Sequence, residues 1–330
     1  MYNPAAQIKA AWAGTHSAFG KVAVALLYLF IWMQLLWTIA ILANPRAGFE
    51  CAYQDAPDAT AYYMDSLMVG LNVISCGYFL SAHYYGIRPW NVLIFALLGG
   101  ATLANNYRAA SGLLALDGDG CAGAFGGGLV TQNAVFSAIV GATVLCSLAD
   151  WARGRDAAPT GEACTLNPIS QVRAAWDGTA SAFGKLSAVL LYAFVWMEVV
   201  GNVAMSVYPS DGKDFAYDGA PDAAVIFMDC LTVGTALFTI SYVAYVHYHG
   251  VRLWNVLSLA AVTAAVVAND AVLVDRLGGE APAFAADKGD ERVFLTVLVG
   301  LMVAGAALDT RAAGATPAAG ESAPLYEELP

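Results

Sequence analysis

Acids and amides are scarce in the apolar parts of this chain, and those present fall into register. Asp65, Asn72, Cys76 and His83 follow one another at intervals of 7, 4 and 7 residues. A helix turns about 100° per residue, so the four lie within about 20° of one line. At about 1.5 Å per residue that line runs about 27 Å from a carboxylate to an imidazole. Residues 164 further on read Asp229, Ala236, Ile240 and His247, so the ends are kept and the polar middle is lost. Two other apolar stretches bring polar groups to the depth of the acids. Gln34 is matched by Glu198, and Asn105-Asn106 by Asn269-Asp270.

Two kinds of chemistry fit such groups. A carboxylate inside lipid is costly and usually faces a bundle interior or a wet cavity. Oxygens of Asp, Glu, Gln and Asn at one depth can replace part of an ion's hydration shell. A histidine at the far end can relay protons or gate a path. The same groups can instead tie helices together, at about 0.6–2 kcal/mol per contact. Asp65 and Asp229, two turns past Asp58 and Asp222, can also complement a helix N-terminus. The second half carries two further acids, Glu198 and Asp270, so a cation path is expected there.

The elements holding these residues follow from composition. Of 330 residues 59% are hydrophobic and only 12% charged; a soluble domain carries roughly twice that charge. The apolar residues form continuous blocks at 22–43, 60–84, 90–110, 128–149, 186–208, 224–248, 254–275 and 293–309. Crossing a bilayer takes about 20 apolar residues as a helix. Closed barrels would need alternating segments of about ten residues, and these blocks do not alternate.

The shift of 164 extends well beyond the acids. It pairs Trp12 with Trp176, Lys21 with Lys185, Trp32 with Trp196 and Gly70 with Gly234, without a gap. It also matches HYYGIRPWN (83–91) to HYHGVRLWN (247–255). Such self-similarity is the mark of a duplicated unit. Four spans per half is an even number, so both halves enter the membrane in the same direction. That implies a pseudo-two-fold axis along the membrane normal. The first span has a twin inside the chain and exceeds a signal-peptide core in length, so it reads as a retained helix.

Eight spans put both termini on one side. That side carries nine Lys and Arg against six on the other, so the positive-inside rule places the termini in the cytosol. The outer side carries seventeen acids, a surface that concentrates cations, or that simply keeps loops solvated.

Cys51 and Cys121 fall in two outer loops of the first half, and the shift lands on Phe215 and Ala285. Residues lost together behave as a pair, which predicts a Cys51–Cys121 disulfide on the oxidising side. No CxxC is present, so a thiolate metal site is not expected. In HYYGIRPWN, Gly86 suits a left-handed helix end, Asn91 a cap on the next helix, and Trp90 and Arg88 the headgroup level. That leaves His83 without a role in the turn. The segments 12–21 and 176–185 read as short interfacial helices or turns. There is no phosphate loop, nucleophile elbow or HExxH; each half has one histidine inside a span, His83 or His247, so a bis-His haem could form only across the pseudo-dimer and is not expected.

The sequence therefore predicts an all-α polytopic membrane protein with eight transmembrane helices in two tandem four-helix repeats. Residues 1–152 and 167–309 form the repeats, 153–166 a cytosolic linker and 310–330 a disordered cytosolic tail. The expected activity is a channel or transporter for a small solute, either a cation, a proton or a small neutral molecule. Asp65, Asp229, Glu198 and Asp270 would attract or bind it. Gln34, Asn72, Asn105, Asn106 and Asn269 would line its path, and His83 and His247 would relay protons or gate. The competing expectation is a non-transporting scaffold or assembly subunit. No enzymatic activity, cofactor, metal or nucleic acid is expected. The partners are the bilayer of a plasma or organelle membrane, the solute, and a second copy of the chain in a homo-oligomer.

Overall fold

The computed structural model describes residues 3–116, 120–154, 167–279 and 281–315. Nearly all of the expected linker, and residues 316–330 of the expected tail, lie outside the described residues. The tail's first residues, 310–315, continue the last helix.

Two short helices, α1 (Pro4–Ala13) and α7 (Pro168–Asp177), open the two halves. Each begins at a proline behind an asparagine cap, Asn3 or Asn167, whose side chain accepts a hydrogen bond from a first-turn N–H. A turn follows, and Ser17 and Ser181 cap α2 (Ala18–Ala43) and α8 (Ala182–Val207). The other long helices are α4 (Asp58–Tyr85), α5 (Pro89–Leu116), α6 (Cys121–Arg153), α10 (Asp222–His249), α11 (Leu253–Leu277) and α12 (Pro282–Ala315). One-turn helices α3 (Glu50–Tyr53) and α9 (Asp214–Tyr217) precede α4 and α10.

Seven of these helices are long and apolar enough to cross a membrane, which supports an integral multi-pass architecture. Their outward sides expose Leu36, Ile39, Leu145 and Val200, a surface suited to lipid rather than water. The expected block 90–110 does form a helix, α5, but it does not count among the seven. Asn105, Asn106 and Arg108 interrupt its apolar run.

The helices pack in a closed order. α2 lies on α4 and α6, α6 on α5, α5 on α10, α10 on α8, α8 on α12, α12 on α11, and α11 on α4. α4 and α10 also pack on each other through the middle. Although only residues 86–88 join α4 to α5, α5 docks on α10, and α11 docks on α4. The core is shared accordingly. One buried cluster holds Ile31, Tyr78 and Phe95 together with Leu191, Tyr242 and Val256. Within it the Phe30 ring meets Phe79, Phe95 and Phe136 edge-on at 5.8, 5.4 and 5.6 Å.

Contacts recur at residues 164 apart. Gly86 (φ 65°, ψ −152°) and Gly250 (φ 64°, ψ −153°) end α4 and α10 in a region open essentially to glycine. Asn91 donates to the Gly86 carbonyl at 2.7 Å, and Asn255 to that of Gly250 at 3.3 Å. α5 starts at Pro89, so Asn91 sits inside its first turn. It ties the turn shut rather than capping the helix as its sequence position implies. At the end of the bundle where α2 and α8 begin, carboxylates fix these starts. Asp150 of α6 accepts from the Ser17 hydroxyl (2.7 Å) and the His16 N–H (3.0 Å). Asp309 of α12 accepts from the Ser181 N–H and hydroxyl, both at 2.7 Å. At the opposite end the expected disulfide is present. Cys51 on α3 bonds Cys121 at the start of α6, with Cα atoms 5.6 Å apart.

Candidate functional site

The histidines of the two matching motifs have partners that the sequence reading did not supply. The His83 Nδ1 lies 3.3 Å from Gln7 Oε1 of α1, and the His247 Nδ1 2.8 Å from Gln171 Oε1 of α7. Tyr28 and Tyr192 donate to the carbonyls of His83 and His247 at 3.1 and 3.2 Å. Their rings, with Trp32 and Trp196, meet the imidazoles edge-on. Each histidine thus pins a short helix across the end of a long one. The signal was present in the sequence: Gln7 and Gln171 are also 164 apart.

The rest of the motif closes on its own twin. Tyr85 stacks on His249 with centroids 3.3 Å apart and planes 3° apart. Trp90 stacks on Tyr248, and Trp254 on Tyr84. The Tyr85 hydroxyl donates to Asn255 Oδ1 at 2.6 Å. Three aromatic pairs join the two halves at the end where α4 and α10 finish.

At the other end each matched acid meets a cation from the opposite half, and Asp65 also one from its own. Asp65, with 10% of its side chain exposed, pairs with Arg46 at 2.8 Å and with Arg276 of α11 at 3.4 Å. Its hydrogen bonds hold the Arg46 guanidinium charged, above its ordinary range. Asp229 accepts from the Tyr217 hydroxyl at 3.0 Å and lies 3.7 Å from Arg108 of α5. The asparagines cross the same seams. Asn105 donates to the Cys230 carbonyl at 2.8 Å, and Asn269 to the Ser66 carbonyl at 2.9 Å. Asn106 donates to Asn133 at 3.2 Å, and Asn72 folds back on the Met68 carbonyl at 2.7 Å. Gln34 is half-buried on α2.

Asp65 and His83 share a face of α4 as the spacing requires, but each is engaged at its own end. Between them the Tyr78 ring packs edge-on against Phe79, Phe238 and Tyr245. Between Asp229 and His247 the buried side chains include Leu231, Ala236, Tyr242, Val243 and Tyr245.

Charged groups converge inside the second half. Glu198 of α8 accepts from Asn202 at 3.0 Å and feels the charges of Lys288 and Glu291. The Lys288 ammonium of α12 bridges Asp270 of α11 at 3.4 Å and Glu291 at 2.6 Å. Two carboxylates thus hold one partly buried ammonium, and the Glu198 carboxylate lies within reach of its charge. The matching part of the first half has neutral amides, with Gln34 for Glu198 and Asn106 for Asp270. Lys213, in the loop after α8, is partly buried nearby. Burial and the neighbouring Lys288 push its ammonium below the ordinary lysine range. Lys288 and Lys213 are members that the sequence reading missed, because only the fold brings loop and α12 to α8. Among the described residues no group of His, Cys, Asp and Glu has the grouping of a metal site. The chain matches no family model, no curated protein and no solved structure.

Proposed function

We propose that the chain is a membrane transport protein for a small cation or proton, with its working site in the second half. In this reading α5 counts as an eighth span, the two halves are related by a pseudo-two-fold axis along the membrane normal, and the termini face the cytosol. The first half is the structural half. The observation that carries the proposal is the cluster of Glu198, Asp270 and Glu291 around Lys288. A lysine tethered between two carboxylates, with a third in electrostatic range, is an internal counter-ion. An arriving cation competes with it for Asp270 and Glu198, and an arriving proton neutralises a carboxylate and frees the ammonium. The acidic outer surface with Asp65 and Asp229 raises the local cation concentration. His83 and His247 hold α1 and α7 over the inner end, where they act as a gate. No catalytic step and no cofactor enter this mechanism.

The test is flux of protons, sodium or potassium into liposomes that hold the purified full chain. Glu198→Gln is expected to cut the rate at least tenfold. Flux unchanged by that substitution and by Asp270→Asn would exclude the cluster.

A second reading, a membrane scaffold or assembly subunit, is favoured by two observations. The matched acids are paired with arginines, and the Phe30 cluster fills the first half. For that reading, wild-type liposomes would carry no ion above the protein-free rate.

A further inference from the structure

The seam between α5 and α10 and the seam between α11 and α4 are built from matching residues, yet they differ. Arg276 on α11 has Gly112 as its counterpart on α5, 164 residues earlier. Tyr62 is matched by Ile226, and Arg46 by Ser210. In the α11–α4 seam, Arg276 rests on the Tyr62 ring at 5.8 Å and joins Arg46 on Asp65. Two guanidinium groups therefore occupy one carboxylate.

In the α5–α10 seam those side chains are missing and a cleft of about 200 Å³ takes their place. Asn105, Arg108, Gly112, Ile226, Asp229 and Cys230 line it. Asp229 has one guanidinium near it, Arg108, at 3.7 Å with 69% of that side chain exposed. Its own side chain is 25% exposed, against 10% for Asp65.

We propose that this cleft binds a small organic cation bearing N–H donors, a guanidinium or primary ammonium compound, which takes the place on Asp229 that Arg276 holds on Asp65. The site is separate from the Glu198 cluster and does not depend on the transport reading. Charge balance permits it, since Asp65 accommodates two guanidinium groups in contact, whereas Asp229 has Arg108 at 3.7 Å and feels the Lys213 ammonium only through space. Geometry supports it as well. The planar fork of a guanidinium matches a carboxylate edge, and Ala109, Gly112 and Ile226 offer apolar wall to a short alkyl group. The Asn105 Nδ2 is engaged on the Cys230 carbonyl, which leaves its Oδ1 as a neutral acceptor beside the one charged acceptor of the cleft lining, Asp229.

Cys230 reports occupancy. It is free, partly exposed and part of the cleft wall. The full chain in nanodiscs is treated with neutral N-ethylmaleimide, and the Cys230 peptide is followed by mass spectrometry. Methylguanidinium is compared with tetramethylammonium, which has no N–H, and with sodium at equal ionic strength. Methylguanidinium at ten times its Kd is expected to slow alkylation about tenfold, as single-site occupancy requires. Tetramethylammonium and sodium are expected to leave the rate unchanged. Protection should vanish in Asp229→Asn. It should vanish too in Gly112→Arg, which supplies the arginine of the other seam. A Cβ there comes 3.1 Å from Ile226 Cδ1, the far end of a flexible side chain. If Gly112→Arg does not fold, Asp229→Asn alone decides. The proposal is overturned if methylguanidinium gives no protection, if tetramethylammonium protects equally, or if protection survives in Asp229→Asn.

Discussion

Opening the Cys51–Cys121 bond tests how the first half is held at the end away from the termini. The bond closes a loop of 70 residues. For a free chain, loop-closure entropy gives about 4.4 kcal/mol at 25 °C for that length. The chain is not free if α4 and α5 stay helical in lipid while tertiary contacts are lost. Outside the described helices the loop then holds residues 54–57, 86–88 and the four positions between Leu116 and Cys121, eleven in all. The same relation gives about 2.8 kcal/mol for a loop of that size. The expected stabilisation therefore lies between about 2.8 and 4.4 kcal/mol. The assay is unfolding of the detergent-solubilised protein, oxidised against reduced, with Cys51→Ser/Cys121→Ser as a second reduced form. Midpoints of loss of tertiary structure are converted to free energies. A difference below about 1 kcal/mol between oxidised protein and both reduced forms would refute the reasoning. It would mean that α3 and the start of α6 stay together without the bond.

The matching position in the second half is closed by a ring pair instead, Phe215 against Phe284 at 4.7 Å. Phe215→Leu is expected to lower stability by about 0.5–1.5 kcal/mol with no sensitivity to reductant, measured by the same unfolding assay. Replacing Asn105 and Asn269 by Leu removes the amide's bonds to Cys230 from one seam and to Ser66 from the other. Each substitution should cost about 0.6–2 kcal/mol, and the two should add, because the seams share no partner. Gln171→Ala should release α7 from His247, which would appear as faster proteolysis at residues 168–177 with the rest of the fold intact. Lys213 carries a pH signature. Its folded-state pKa lies below the unfolded value, so charging it destabilises the fold at neutral pH, and that cost is relieved as pH rises towards 10.5. Lys213→Met should therefore melt higher than wild type at pH 7, and the gap should narrow in the alkaline range.

The helices were legible because lipid admits few alternatives, and composition alone located the long apolar runs. The disulfide was legible because Cys51 and Cys121 disappear together at Phe215 and Ala285. The packing order was not legible, since an apolar stripe says that a helix is buried and not against which neighbour. α5 and α11 therefore gave no sign that they cross to α10 and α4. Angular coincidence misled at His83. It shares a face with Asp65, yet its partner is Gln7, on a helix outside that line. A fixed shift also has a blind spot. Asp150 and Asp309 do the same work on Ser17 and Ser181 but stand 159 residues apart, so a comparison at 164 passes over them. The Glu198 and Asp270 pair was legible as excess charge in the second half. Lys288, which completes the cluster, was not, because its apolar stem and charged tip reveal no direction in sequence.

The crossed docking of α5 and α11 has a consequence for how the protein is made. A ribosome delivers α2 to α6 before α10 and α11 exist, so α4 waits in the membrane with its seam surface open and Asp65 without Arg276. Until the second half is made, the first half is expected to lack both seam contacts, since each seam pairs a helix of one half with a helix of the other. Two fragments cut between α6 and α7 and expressed together should find each other and complete the fold, whereas either fragment alone should be a substrate for membrane quality control.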